Sequence, residues 1–169
     1  KKKPDIDVVF GDILISNKNG KIIDYWKHPD FDIEALIYTG MVLNPQATFW
    51  RRNLHEKLGG LDTEYLRSYD YDFFIRMGLS CAKFHHVSDF LAVYMLHKQQ
   101  LTDSIELCKL ANAKIFEKYS DKSLSNKSLQ FKRIKILTKK VFYFVKKGDF
   151  LFILRGILKR LGIISIKRQ

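Results

Sequence analysis

The 169-residue chain is short of cysteine everywhere and short of acids over its last quarter, and each shortage excludes something. Cys81 and Cys108 stand far apart and in no Cys-x-x-Cys pair. Neither a disulfide framework nor a thiolate metal site is therefore indicated, and a reducing, cytosolic location fits. No apolar run approaches the roughly 18–20 residues that span a bilayer. The opening Lys1-Lys2-Lys3-Pro4 carries charge, but the apolar core and cleavage site of a signal peptide do not follow it. No G-x-G-x-x-G or G-x-x-x-x-G-K is present, so no loop cradles a phosphate by itself. His55-Glu56 lacks the second histidine that a helical zinc-protease motif needs four residues on. No serine or cysteine lies in an elbow-like setting, and there is no internal repeat or low-complexity linker.

From Lys127 to Gln169 there are thirteen Lys or Arg and a single acid, Asp149. Residues 1–126 hold seventeen of each sign, so the formal charge of +12 belongs wholly to the tail. A neutral body with a basic tail suggests contact with an anionic surface. The tail pattern is helical, with Phe131, Ile134, Val141 and Val145 near one face and lysines on much of the rest. A second stretch repeats the arrangement around Arg155, Lys159 and Arg160. An anionic membrane surface, at the inner face of the plasma membrane, is the expected partner. Nucleic acid is set aside because the apolar face is rich in Phe and Ile. The alternative is that these helices pack on the body and leave a basic face in water.

Upstream, strands and helices interleave to about residue 100, which predicts an α/β class. Residues 5–16 and 21–26 read as two strands joined at Asn17-Lys18-Asn19-Gly20, with Asn19 and Gly20 supplying positive φ. Residues 32–39 read as a helix that decays at Gly40, and 53–58 as a short helix stopped by Gly59 and Gly60. Residues 82–97 read as a strand interrupted near Ser88-Asp89. Its adjacent His85 and His86 point to opposite faces, cannot jointly hold a metal, and are read as structural. From about Asp103 the chain is helical. The division expected is 1–104 for the α/β part and 105–169 for a basic helical tail.

Two stretches carry candidate chemistry. In Tyr69-Asp70-Tyr71-Asp72, an acidic start suits a helix, because carboxylates answer its free N–H groups and its dipole. Asp72 and Arg76 can pair along one face for about 0.3 kcal/mol, with Phe73, Phe74 and Met77 turned inward. In Gln46-Ala47-Thr48-Phe49-Trp50-Arg51-Arg52, an amide, two aromatics and paired arginines suit a hydroxyl-rich or phosphate-bearing ligand. An edge strand with a solvated arginine pair accounts for the same residues.

The order of the pieces is more specific than any one of them. "DVVFGD", a hairpin, "QATFWRR", "LHEKLGGLD", "YDYDFFIRM" and a strand ending in His97 resemble the second half of family 2 glycosyltransferases of the GT-A fold, over about residues 4–104. The resemblance implies inverting transfer of a sugar from a nucleotide-diphospho-sugar to a saccharide or lipid-linked acceptor, in bacterial cell-surface polysaccharide synthesis. It implies Asp70 as general base and Gln46 in the sugar and acceptor pocket. Arg76 would fix the base-bearing helix, and it and Asp72 count among the substrate-binding residues. His97 would stand near the Mg²⁺ or Mn²⁺ ion that neutralises the leaving diphosphate. Tyr69 replaces the acid that often precedes the base. The family's nucleotide-binding half with its metal-holding D-x-D has no counterpart here, since Asp5-Ile6-Asp7 opens the strand after that motif. The expectation is thus one half of an enzyme, inactive alone, or a noncatalytic relic that serves as a membrane-surface or polyanion-binding module.

Overall fold

The β-branched alternation that opens the chain produces the strand around which everything else is arranged. In a computed structural model, which describes residues 5–66, 68–96 and 105–163, β1 (Val8–Ser16) is the hub of a mixed four-stranded sheet. β2 (Ile22–Trp26) and β3 (Thr48–Trp50) pair antiparallel with the second and first parts of one flank of β1. β4 (Phe84–Met95) runs parallel along its other flank. The hairpin between β1 and β2 closes as the sequence predicts, with one difference. Gly20 alone takes positive φ, at 78°. Asn19 does not need it, because the Asn17 side chain accepts from the Asn19 and Lys21 N–H groups and holds the turn.

Six α-helices are described. α1 (Ile33–Thr39) starts at Asp32, whose side chain accepts from the N–H groups of Glu34 and Ala35. α2 (Arg52–Lys57) ends at Gly59 and Gly60, both at positive φ. α3 (Tyr69–Leu79) turns Phe73, Phe74, Ile75 and Met77 fully inward against Val8 and Phe10 of β1 and Leu36 of α1. α4 (Ile105–Tyr119), α5 (Asn126–Lys146) and α6 (Phe150–Arg160) follow. Ile115 and Ile136 enter the same core as α1 and α3, so residues 105–163 share a core with the α/β part. The result is an α/β fold. Among the described residues no helix is long and apolar enough to cross a membrane.

The tail packs on the body, but with much of its basic face turned to it, the reverse of the packed arrangement expected from sequence. Arg155 donates to Asp24 at 2.9 Å and to the Ile23 carbonyl at 3.0 Å, and Lys159 reaches the other oxygen of Asp24. Lys132 pairs with Glu34 at 2.8 Å, Lys139 with Asp32 at 2.6 Å, and Arg133 donates to the Tyr38 carbonyl at 2.9 Å. The cause lies in the body. The Asp24 side chain has no solvent exposure, and a buried carboxylate needs cations and donors at hand.

The interruption expected near Ser88-Asp89 is a bulge within β4. Gly11 pairs with Val87 while the next residue, Asp12, pairs with Phe90. A Cβ on Gly11 would lie 2.5 Å from the Leu91 side chain and 2.9 Å from the Asp89 carbonyl oxygen. Gly11→Ala is therefore expected to destabilise the chain by about 1–3 kcal/mol, the usual range for overpacking, read as a lower midpoint in urea denaturation. An unchanged midpoint would show that the bulge relaxes freely.

Candidate active site at the start of the third helix

Residues 69–72 place two carboxylates on different sides of α3, because neighbours two apart on a helix are about 200° apart. Asp72 points inward and has no solvent exposure, whereas Asp70 is half-buried at the rim. Asp70 accepts from the Tyr71 N–H at 2.9 Å, and no cation pairs with it among the described residues. Burial pushes its carboxyl above the usual carboxylate value, and the local backbone N–H groups only partly oppose this. Tyr71 anchors this turn by donating to the Leu36 carbonyl of α1 at 2.9 Å, and burial raises its phenol to about 12.

Asp72 is a far larger feature than the surface pair expected from its spacing to Arg76. One oxygen accepts from Arg76 Nε at 2.7 Å, and the other from the Tyr119 hydroxyl at 2.7 Å and Lys118 Nζ at 3.3 Å. Burial raises its pKa, but the bonds from Tyr119 and Arg76 outweigh burial and hold the carboxyl below its ordinary value. The remaining Arg76 nitrogens donate to the carbonyls of Leu58 at 2.6 Å and Gly60 at 2.7 Å. All three guanidinium nitrogens and both Asp72 oxygens thus have protein partners. Through these bonds Asp72 and Arg76 tie α3 to the end of α2 and to α4.

A second buried carboxylate escaped the sequence reading. Asp12, 2% exposed, accepts from the His28 backbone N–H at 2.9 Å and lies 3.0 Å from His86 Nε2. Burial raises its pKa, but the hydrogen bonds with His28 and His86 prevail and bring it down to about 2. The Tyr143 hydroxyl of α5 lies 3.4 Å from the other ring nitrogen of His86, which joins the tail to the sheet. His85 lines the opposite sheet face, so the two histidines do point apart. The only hint of Asp12 in the sequence is period two: after Val8 and Phe10, it is the next core-facing position of the strand.

Gln46 is exposed on a 3₁₀ turn (Pro45–Ala47) that Asn44 caps by accepting from the Gln46 N–H at 3.1 Å. Arg51 Nε donates to the Ile6 carbonyl at 2.7 Å, tying the arginine pair to the chain before β1. An open depression of about 450 Å³ lies between Ile6, Val9, Phe49, Arg51, His85 and Val87, and none of Gln46, Asp70, Asp72 or Arg76 lines it. His97 lies outside the described residues. Among the described residues no three His, Cys, Asp or Glu side chains are grouped to hold a metal ion. No family model matches the chain, and no curated protein matches it.

Two outcomes are expected. Asp72→Ala leaves Arg76 without its counter-ion and should cost about 3 kcal/mol or more, measured by urea denaturation; a loss below about 1 kcal/mol would contradict the clamp. Asp12, held at about 2 in the folded chain against an ordinary 3.8, contributes stability that is present above pH 3.8 and lost as pH falls toward about 2. The contribution is about 2 kcal/mol. Asp12→Asn should flatten the fall in stability between pH 4 and pH 2, and an unaltered acid limb would contradict this.

Proposed function

We propose that this chain supplies the acceptor side of an inverting glycosyltransferase of the GT-A type, with Asp70 as the general base. The observation that carries the reading is the state of Asp70. It is a half-buried carboxylate with no cation partner among the described residues and a raised pKa, on a helix clamped by Asp72 and Arg76. A base works best when its pKa lies nearer the working pH than that of a free carboxylate, and when its position is fixed. The order of motifs along residues 4–104 supports the same reading.

In the reaction, Asp70 takes the proton of an acceptor hydroxyl as that oxygen attacks the anomeric carbon. The new oxygen–carbon bond forms as the bond from that carbon to the diphosphate breaks. The nucleoside diphosphate leaves with the bonding electron pair, and the configuration inverts. Such proton transfer contributes roughly 10²–10⁴ in rate. The acceptor is a saccharide, free or lipid-linked. Donor recognition belongs to the D-x-D-bearing half that the resemblance implies.

In the enzyme assembled with that half, Asp70→Asn should lower turnover by roughly 10²–10⁴ with donor affinity nearly unchanged. Asp72→Asn should lower stability first, and turnover only through misplacement of α3. Release of nucleoside diphosphate from UDP- and GDP-sugars, together with donor titration calorimetry, separates the two. Wild-type turnover in Asp70→Asn would overturn the assignment of the base.

A further inference from the structure

We infer that the outward surface of α5 and α6 is a docking face for an anionic lipid bilayer. With Arg155, Lys159, Lys139 and Lys132 turned to acids of the body, the apolar side of each helix is left facing away from it. On α5, Phe131, Ile134, Phe142 and Val145 lie opposite the buried Ile136, with Phe131 72% and Phe142 67% exposed. On α6, Phe150, Leu154, Ile157 and Leu161 recur at intervals of four, three and four, which puts them on one face, and all four are exposed. Two helices in succession thus present apolar stripes that no part of the described chain covers. A surface of this kind marks an interaction site.

Charge selects the occupant. Asp149 is the one acid between Lys127 and Ile163, and it is paired with Lys27. The outward surface of the two helices therefore carries no unpaired carboxylate. Lys135 and Lys146 border the α5 stripe, about 20° and 40° round the helix from Phe142 at its edge. A second copy of the chain would set cation against cation, whereas an anionic leaflet complements them. Helices with an apolar face and basic borders lie in the interface plane, side chains dipped into the acyl boundary and lysines at the phosphates. This goes beyond the proposed transfer reaction and does not rest on Asp70.

The test is co-sedimentation of the full chain with vesicles of phosphatidylglycerol and phosphatidylcholine, against vesicles of phosphatidylcholine alone. Binding should require phosphatidylglycerol and weaken between 50 mM and 500 mM salt. Phe142→Glu combined with Leu154→Glu, both at exposed positions, should lower the partition coefficient at least tenfold with an unchanged circular dichroism spectrum. Asp70→Asn should leave it unchanged, so a failure here is separable from a failure of the transferase reading. Indifference to phosphatidylglycerol vesicles at low salt would overturn the inference. So would undiminished binding by the double variant, or concentration-dependent dimerisation in sedimentation velocity that the double variant abolishes.

Discussion

A carboxylate with no solvent exposure must have its charge answered inside the protein, and at Asp72 that requirement organises the candidate site. Its partners come from two places in the chain: Arg76 one turn along the same helix, and Lys118 and Tyr119 from α4. Arg76 passes the constraint on by donating to the carbonyls of Leu58 and Gly60, at the end of α2 where two glycines free those groups from helical bonding. The first turn of α3 is fixed by the same side chains that neutralise Asp72. Asp70, two residues earlier on the same turn, is half-buried, and among the described residues no cation pairs with it.

The same principle recurs away from this helix. Asp12 in the central strand and Asp24 in its antiparallel neighbour are both buried, and both are answered by the chain that follows the α/β part or by histidines of the sheet. Asp24 draws Arg155 and Lys159 inward, and through the His86 ring Asp12 reaches Tyr143. The tail thus docks through cations as well as through the buried Ile115, Ile136 and Phe144, and its exposed outer side carries apolar stripes. An amphipathic helix that uses its polar face for packing presents its hydrophobic face to whatever lies beyond.

Local features were legible in the sequence because they are set by near neighbours. Period-two alternation marked β1, Gly59 and Gly60 marked the end of α2, and Ser88-Asp89 marked the bulge in β4. The inward direction of Phe73, Phe74 and Met77 followed from helical spacing. What could not be read depends on partners far away in the chain. Asp72 looked like half of a surface pair because Tyr119 lies 47 residues on. Asp12 stood in an apolar strand with nothing nearby to show that His28 and His86 would converge on it. The tail helices were recognised as amphipathic, but amphipathicity does not say which face packs; that was decided by the buried Asp24. Around the candidate site, the Asp72–Arg76 pair was legible from its spacing, while the further partners of both side chains and the raised pKa of Asp70 depend on burial that sequence does not state.

The central claim is that Asp70, held by the Asp72–Arg76 clamp, is the proton acceptor. Its most direct test is the pH dependence of kcat/KM for nucleoside diphosphate release by the assembled enzyme. The account predicts an ascending limb with an apparent pKa above the usual carboxylate value, absent from the residual activity of Asp70→Asn. An ascending limb that persists unchanged in Asp70→Asn would assign the base to another group and contradict the account.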